Sequence, residues 1–207
     1  MSSIVERLTS VLSQPLGYLL YQTVVGGIRG RRLCISEYVR PTPGMKVLDI
    51  GCGPAYTVDY FPQPEYHGFD ISPQYINFAK KKFSAHGRFY CRLFQEDSLE
   101  WLPRVDVVLM MGLIHHLDDQ AVTDVLSLAR RAMKPGARLF TFDGFHAPGQ
   151  SGITRFLMKK DRGKFIREQH AYEELARKVF PSVQSIVRND LFHVPYPILI
   201  LECRNGS

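Results

Sequence analysis

A short apolar strand that runs into two glycines constrains this chain most, because it implies both a buried strand and a ligand-binding loop. Residues 47–55 have the sequence VLDIGCGPA. The run from Val47 to Ile50 suits a buried parallel strand, and Gly51 permits a tight turn after it. Gly53 lets the main chain approach a ligand with no side chain between them. The stretch predicts a loop that binds a nucleotide-type cofactor.

A carboxylate further along the chain narrows the choice of cofactor. Asp70 closes a second short apolar stretch, about twenty residues beyond the loop, which is the spacing at which an acidic side chain meets ribose hydroxyls. Dinucleotides and S-adenosylmethionine both contain a ribose. The dinucleotide fingerprint requires a small residue three places after its second glycine, and Tyr56 stands at that position. This counts against the pyrophosphate of a dinucleotide.

Five motifs in a fixed order resemble those of the class I S-adenosylmethionine-dependent methyltransferases. They are VLDIGCGPA, GFDIS, QEDSLEW, VDVVLMMGLIHHLDD and KPGARLF, and all of them lie within residues 46–143. Ala55 and Ala137 stand where the family often has glycine, and alanine is the smallest substitute.

The resemblance and the alternation of strand and helix signals predict an α/β fold. We expect a Rossmann-like sheet, mostly parallel with one antiparallel strand near the C-terminus, with helices on both faces. We expect a single domain divided into an N-terminal helical cap (1–40), a cofactor-binding core (41–143), a substrate-side insertion (144–168), and a final helix and strands (169–207).

Local signals place several elements within that plan. Ser72 followed by Pro73 predicts the start of a helix, and Asp118 or Asp119 predicts another. Further strands are predicted at 90–94, 105–111, 138–142, 183–187 and 198–203, and a further helix at 170–180.

The resemblance implies a set of cofactor-binding residues. Asp49, Gly51 and Gly53 would surround the methionine part of the cofactor, with Cys52 in the same loop as a compact side chain rather than a nucleophile. Asp70 would bind the ribose, Ile71 would pack on adenine, Asp97 and Ser98 would meet the adenine amino edge, and Met111 would lie below the methionine chain. As alternatives, Asp49 and Asp70 would cap nearby amides, and Asp97 with Ser98 would start a turn.

Three residues are candidates for the chemistry. His115 and His116 follow the fourth strand, where a neutral imidazole can take a proton from an acceptor hydroxyl near neutral pH. The alternative for each is a packed or hydrogen-bonded loop histidine. Tyr21 lies in the cap and is a candidate lid residue, or a ring that packs at a helix interface. No metal site is expected, because the histidines and the nearby Asp118 and Asp119 lack the spacing of one helical face.

The acceptor is predicted to be a small molecule methylated on oxygen or nitrogen. The segment after the fourth strand has neither the Asn-Pro-Pro-Tyr-like string typical of nucleobase amine methylation nor a Pro-Cys pair for pyrimidine attack. Basic residues in the insertion hint at an anionic, sugar or lipid-linked acceptor, although they also suit a solvated surface.

Other function classes stay open at this stage. A net charge of +6 is compatible with an RNA methyltransferase or with peripheral membrane contact, although a nucleic acid partner is not expected. A nicotinamide oxidoreductase and a non-catalytic S-adenosylmethionine-binding module are further alternatives. Four scattered cysteines and no long apolar run favour a cytoplasmic protein with reduced thiols, and the oligomeric state is undetermined.

Overall fold

The computed structural model describes residues 26–160 and 163–206. The described part of the predicted cap begins at Gly26, whose left-handed backbone (φ 86°) precedes helix α1, Gly27–Cys34. A single π-helical turn, Ile35–Val39, follows it. The rest of the predicted cap, including Tyr21, lies outside the described residues.

The described ranges form one seven-stranded sheet in the order β3-β2-β1-β4-β5-β7-β6. The strands are β1 Lys46–Ile50, β2 Glu65–Asp70, β3 Gly87–Cys91, β4 Val105–Met111, β5 Met133–Gly144, β6 Ser182–Arg188 and β7 Ile198–Arg204. Strands β1 to β5 pair in parallel, whereas β7 is antiparallel to both of its neighbours, β5 and β6. The predicted fold class, with one antiparallel strand near the C-terminus, is confirmed.

Helices cover both faces of this sheet. They are α2 Pro73–Phe83, α3 Asp119–Ala132, α4 Gly152–Lys160 and α5 Gln169–Arg177, with 3-10 turns at Tyr56–Tyr60, Glu96–Glu100 and Ile114–His116. One core contains residues of α3 and α5, and the other contains residues of α1 and α2. Alternate residues of β1 contribute to the two cores, since Leu48 belongs to the first core and Val47 to the second. Both faces of the central strands are therefore buried, as their continuous apolar sequence requires.

Local capping signals locate the starts of two helices. Ser72 Oγ accepts a hydrogen bond from the Tyr75 N–H at 3.4 Å, and Asp118 Oδ1 accepts one from the Ala121 N–H at 2.9 Å. Both helices begin where the sequence predicted. None of the helices in the described ranges combines the length and apolarity needed to cross a bilayer.

Strand β3 lies earlier in the chain than predicted. It covers Gly87–Cys91 instead of residues 90–94, because its register with β2 pairs Tyr66 with Gly87. A Cβ atom at Gly87 would lie 3.0 Å from the Tyr66 carbonyl oxygen, so this close pairing favours glycine. Contacts across the sheet, rather than local β propensity, determine where β3 begins.

Candidate active site

The glycine loop after β1 is joined to the end of β2. The N–H groups of Gly51 and Cys52 both donate to the carbonyl oxygen of Phe69, at 2.8 and 3.0 Å. Gly51 has φ 75°, and a Cβ atom there would lie 3.0 Å from Leu113 Cδ1. Both the left-handed backbone and the close approach of Leu113 favour glycine at this position.

An open cleft begins at this loop. It is lined by residues of α1, of the glycine loop, of the turn that follows the loop and of the end of β4, and we call it the glycine-loop cleft. The lining residues are Ile28, Arg31, Asp49, Gly51, Cys52, Gly53, Pro54, Tyr56, Thr57, Tyr60 and Met111. The structure thus brings together five of the predicted cofactor residues, and it adds Arg31 from α1.

Asp49 is a buried carboxylate in the wall of this cleft, with 1% of its surface exposed. Its Oδ2 atom accepts a hydrogen bond from the Tyr66 hydroxyl. Its Oδ1 atom is also buried and has no hydrogen-bond partner in the described part of the chain. Burial raises the pKa of Asp49 to about 7, against the opposing effects of the Tyr66 hydrogen bond and of the Arg31 charge.

Asp70, the predicted ribose ligand, connects two elements through its side chain. Its Oδ2 atom accepts a hydrogen bond from the Gly53 N–H at 2.9 Å, and its Oδ1 atom accepts one from the Ser72 N–H at 2.8 Å. A carboxylate offers about four lone-pair sites, so these two bonds leave capacity for hydroxyl donors. The following residue, Ile71, is 67% exposed beside this carboxylate.

Asp97 and Ser98, the predicted partners of the adenine amino edge, lie in the segment after β3. Asp97 is exposed and forms an ion pair with Arg92 at 2.5 Å. Ser98 is buried, and its hydroxyl accepts a hydrogen bond from the Gln95 N–H at 3.4 Å. Neither residue lines the glycine-loop cleft, and their bonds are those of the turn that the sequence offered as the alternative.

Cys52 is packed against the sheet. Its Sγ atom would lie 2.9 Å from a Cβ atom at Gly68. Burial is the main cause that raises the pKa of its thiol well above the ordinary value, and the charges of Asp49 and Asp70 act in the same direction. Because a thiol nucleophile requires a lowered pKa, Cys52 suits the role of a compact loop residue.

A second polar group lies at the carboxyl ends of β4 and β5. His115, in the 3-10 turn after β4, places Nδ1 2.6 Å from Asp143 Oδ1. Both residues are buried, with 8% and 2% of their surfaces exposed. Since an ionised carboxylate only accepts hydrogen bonds, this contact places the imidazole proton on Nδ1 and makes Nε2 the basic nitrogen.

The edge of the His115 ring that carries Nε2 lies between two glycines. A Cβ atom at Gly112 would lie 3.7 Å from His115 Cε1, and one at Gly163 would lie 2.2 Å from His115 Cδ2. The same Gly112 position is 3.5 Å from Arg31 Nη2. Gly112 therefore separates the His115 ring from the cation of the glycine-loop cleft.

Arg167 holds the turn that carries His115. Its guanidinium donates to the carbonyl oxygens of Ile114 and Leu117, at 3.1 and 2.7 Å, and forms an ion pair with Asp119 at 2.7 Å. The N–H of Phe165 donates to the His115 carbonyl oxygen at 2.9 Å. Arg167, which the sequence counted among the basic residues of a substrate-facing insertion, is thus a nearly buried structural residue.

Three functional candidates were missed by the sequence analysis. Asp143 follows the predicted fifth strand, and the rule that neighbouring parallel strands end at one sheet edge would have placed it near His115. The proximity of Arg31 and Tyr66 to Asp49 has no comparable local signal, because it depends on tertiary packing. His116 is exposed, and its ring centroid is 4.1 Å from that of His115.

Residues 48–139 match the sequence profile of a family described as a methyltransferase domain. This match covers the glycine loop, Asp70, Met111 and His115. The chain therefore contains an S-adenosylmethionine-dependent methyltransferase domain with the class I fold. The cofactor of this family is S-adenosylmethionine. The search of curated proteins found no significant match to the chain.

Solved structures of methyltransferases have the same fold. A phospholethanolamine N-methyltransferase 2 from Haemonchus contortus, in complex with phosphomonomethylethanolamine and S-adenosylhomocysteine, has a TM-score of 0.70 and 16% identity, over 97% of this chain and 60% of its own. Human N-acetylserotonin methyltransferase, in complex with S-adenosylmethionine, has a TM-score of 0.65 and 18% identity, over 87% and 52%. A TehB-like methyltransferase from Corynebacterium glutamicum has a TM-score of 0.60 and 18% identity, over 86% and 88%.

The glycine-loop cleft of this methyltransferase fits its cofactor. The buried Oδ1 atom of Asp49, which has no hydrogen-bond partner among the described residues, could accept a hydrogen bond from the cofactor amino group. Around Gly53 there is open space, since a Cβ atom there would meet only Tyr75 Cδ2, at 4.0 Å. Asp70 and the exposed Ile71 stand on the far side of the same loop, where a sugar and a base would extend.

Proposed function

We propose that this methyltransferase methylates an oxygen or nitrogen atom of a small molecule, with His115 as the general base. The observation that carries the proposal is the buried pair of His115 and Asp143, which stands at the sheet edge beside the cofactor cleft. A histidine whose Nδ1 is bonded to a buried carboxylate has a fixed tautomer and a basic Nε2. A histidine that only filled space would not require a buried carboxylate partner.

The small size of the acceptor is supported by two of the structural neighbours. The Haemonchus contortus enzyme was solved with phosphomonomethylethanolamine, and the human enzyme is named for N-acetylserotonin. Both acceptors are small molecules. This chain spans 60% and 52% of those two proteins, so the acceptor class is carried over as part of the proposal.

The chain's own residues have three tasks in such a reaction. Bound S-adenosylmethionine supplies a methyl group on a positively charged sulfur. Alignment of an acceptor atom with that methyl group can lower the activation barrier by roughly 7 to 11 kcal/mol in well-oriented systems. His115 Nε2 takes the acceptor proton, and Asp143 stabilises the resulting imidazolium. General-base catalysis of this kind contributes about 10²- to 10⁴-fold.

The basic residues of the insertion also suggested that the acceptor carries a negative charge. Arg167 is held within the fold, and Arg155 donates to the Gln150 carbonyl oxygen at 2.7 Å. Lys164 is exposed, and Arg31 faces the cofactor cleft. Of the insertion cations whose side chains the structure describes, an acceptor phosphate or carboxylate would therefore meet fewer than the composition predicted.

The reaction is tested by transfer of a labelled methyl group. S-adenosylmethionine with a tritiated methyl group is incubated with the protein and with separate pools of phenols, hydroxy acids, phosphorylated amino alcohols and total RNA. We expect label in a small-molecule pool and none in RNA. Label in RNA alone would contradict the proposal, as would micromolar binding of S-adenosylhomocysteine without transfer to any pool.

The base is tested with His115→Gln and Asp143→Asn on the acceptor that accumulates label. Both variants should lower turnover by about 10²- to 10⁴-fold, while calorimetry shows unchanged affinity for S-adenosylhomocysteine. His86→Gln is the matched control, since His86 is exposed at the end of α2. An equal loss of turnover and of S-adenosylhomocysteine affinity in His115→Gln would exclude the role as base.

A further inference from the structure

We propose that the insertion after β5 binds an anionic lipid bilayer through a surface, which we call the basic insertion surface, formed by Ile153, Arg155, Lys164 and Phe165. These side chains belong to helix α4 and to the segment that returns from it. The proposal concerns binding to lipid, so it stands independently of the acceptor chemistry proposed above. A bilayer with negatively charged headgroups offers partners for the cations and an apolar boundary for the other two side chains.

Most of the net charge of the chain is concentrated in this insertion. Residues 152–167 contain six basic residues and one acidic residue, a net charge of +5, whereas the whole chain has 26 basic and 20 acidic residues, a net charge of +6. The rest of the chain is therefore close to neutral. Three of the six basic residues have side chains outside the described part of the structure, namely Lys159, Lys160 and Arg162. The attraction to an anionic surface is thus greatest at one place on the molecule.

Two of the described cations of the insertion face the solvent. Arg155 and Lys164 are exposed, and neither forms an ion pair with a carboxylate of the described residues. Arg155 donates to the Gln150 carbonyl oxygen at 2.7 Å, which orients its guanidinium without neutralising the charge. Arg167, by contrast, is nearly buried and is paired with Asp119. Anionic headgroups can therefore approach Arg155 and Lys164 from the solvent.

Two exposed apolar side chains accompany these cations. Ile153 is 65% exposed and Phe165 is 40% exposed. Thr154 and Met158 lie one turn apart on α4 and are buried, so Ile153 stands outside the face with which this helix packs on the protein. Transfer of an exposed apolar side chain from water into the headgroup boundary is favourable. Cations beside exposed apolar side chains are typical of surfaces that lie on a bilayer.

The basic end of α2 lacks this combination. Its last turn carries Lys80, Lys81 and Lys82, where cations balance the partial negative charge of the helix end. The Lys82 ammonium group lies 4.9 Å from the centroids of the Tyr56 and Phe83 rings. None of the exposed large apolar side chains of the described residues belongs to α2. This helix end therefore offers a comparison in which cations are present without apolar side chains beside them.

The basic insertion surface is attached to the sheet edge on both sides. The Phe165 N–H donates to the carbonyl oxygen of His115, after β4, at 2.9 Å. The Gln150 side chain donates to the carbonyl oxygen of Phe145, after β5, at 3.0 Å. A bilayer bound at this surface would therefore lie beside the carboxyl ends of β4 and β5, where His115 and Asp143 meet.

Flotation of the full chain with lipid vesicles tests the proposal. Binding to vesicles of phosphatidylcholine alone is compared with binding to vesicles that also contain about one third phosphatidylserine. We expect binding to the anionic vesicles only, and we expect it to weaken as the salt concentration is raised, because salt screens exposed charges. Equal binding to both kinds of vesicle, or binding to neither, would overturn the proposal.

Two variants separate the charged and the apolar parts of the surface. The double variant Arg155→Gln, Lys164→Gln should weaken binding to the anionic vesicles about tenfold or more, since each cation near such a surface contributes about fivefold. Ile153→Ser should weaken it about tenfold, because the apolar contact with the headgroup boundary is lost. Urea unfolding verifies that these exchanges of exposed side chains leave the fold intact.

Matched controls come from exposed residues elsewhere on the molecule. The double variant Lys80→Gln, Lys81→Gln removes two cations from the end of α2, and Leu93→Ser removes an apolar side chain that is 60% exposed. Both controls should bind the anionic vesicles as the wild type does. An equal loss in the controls and in the variants of the insertion would show an attraction to total charge alone and would overturn the assignment of this surface.

A single-stranded RNA oligonucleotide represents the other class of anionic partner. Binding of RNA depends mainly on contacts with its phosphates, so it should not respond to Ile153→Ser. Tighter binding to the oligonucleotide than to the anionic vesicles, with the same affinity in Ile153→Ser, would overturn the proposal in favour of an RNA partner. Weaker binding to the oligonucleotide, together with the loss of vesicle binding in Ile153→Ser, would support the lipid surface.

Discussion

At the scale of single residues, the two carboxylates that follow β1 and β2 have different environments. Asp49 is buried, and burial raises its pKa toward neutrality. Asp70 is half-buried and accepts two backbone N–H groups, so its charge is balanced by the loops that it connects. One carboxylate is thus suited to a cationic ligand group and the other to hydroxyl donors.

The role of Asp70 is tested by Asp70→Ala. The variant should bind both S-adenosylhomocysteine and 5′-methylthioadenosine tenfold more weakly or worse, a loss of about 1.4 kcal/mol or more, because both ligands contain the ribose. Loss of the Gly53 and Ser72 hydrogen bonds acts in the same direction. Calorimetry measures the change, with Asp59→Ala as the exposed control. Unchanged affinity for both ligands would remove Asp70 from the site.

At the scale of elements, the turn that carries His115 is held by the segment that returns from the insertion. Arg167 bonds the carbonyl oxygens on both sides of His115, and the Phe165 N–H donates to the carbonyl oxygen of His115 itself. Gly163 contacts the edge of the imidazole ring. The position of the proposed base therefore depends on residues about fifty positions away in the chain, as the separation of 53 between Arg167 and Ile114 shows.

Gly163→Ala tests this dependence. The added Cβ atom would lie 2.2 Å from His115 Cδ2, so the ring or the segment must move. A misplacement of about 1 Å can cost about a hundredfold in rate, so turnover should fall by at least tenfold while S-adenosylhomocysteine affinity is kept. Gly152→Ala is the control, because a Cβ atom there has no neighbour within 4 Å. Equal turnover in the two variants would contradict the positioning role.

The elements themselves were predictable where a signal is local. The side chains of Ser72 and Asp118 cap their own helices, so short stretches of sequence suffice to locate these helix starts. The start of β3 was wrong by three residues, because it depends on the pairing of Gly87 with Tyr66 of another strand. The 3-10 turn at Ile114–His116 was not predicted either, since residues of the returning segment hold it.

At the scale of the whole molecule, an ion pair and hydrogen bonds connect the π-helical turn that continues α1 to later strands of the sheet. Arg188 contacts Glu37 at 2.5 Å and Asp190 at 2.7 Å, and Arg138 donates to the Tyr38 and Val39 carbonyl oxygens at 2.8 and 2.6 Å. These contacts fix α1, and with it Arg31, against the sheet. The helix that brings Arg31 to the glycine-loop cleft is therefore positioned by the last third of the chain.

Stability should depend on pH through Asp49. Its pKa of about 7 lies above the ordinary 3.8, so between these values the folded protein holds a proton that the unfolded chain releases. The protonated Asp49 side chain therefore stabilises the folded protein fully below about pH 4, and this contribution is lost as the pH rises to about 7. The corresponding change in the free energy of unfolding is at most about 4 kcal/mol. Other carboxylates, such as Asp106 beside Lys134, have lowered pKa values and act in the opposite direction.

Asp49→Asn isolates this contribution, because the other groups are common to both proteins. Relative to the wild type, the variant should gain free energy of unfolding between pH 4 and pH 8, by up to about 4 kcal/mol. Urea unfolding at the two pH values measures the difference. A constant difference between the two proteins would show that Asp49 ionises in the folded state at its ordinary pKa.

Taken by itself, the sequence determined the sheet type, the cofactor family and the position of the glycine loop. These properties follow from short stretches, because the periodicity of buried strands, the backbone freedom of Gly51 and helix capping by Ser72 act between near neighbours in the chain. The same short stretches were enough to identify Asp49 and Met111 as candidates for one cofactor site.

Only the tertiary structure decided what these residues contact. The partner of His115 is Asp143 from the next strand, Asp49 accepts a hydrogen bond from Tyr66 and is influenced by the charge of Arg31, and Arg167 is directed inward. Each of these contacts joins residues that are far apart in the chain. Their geometry depends on strand order and helix packing, which set distances and burial, and distance and burial in turn set the electrostatic properties of the site.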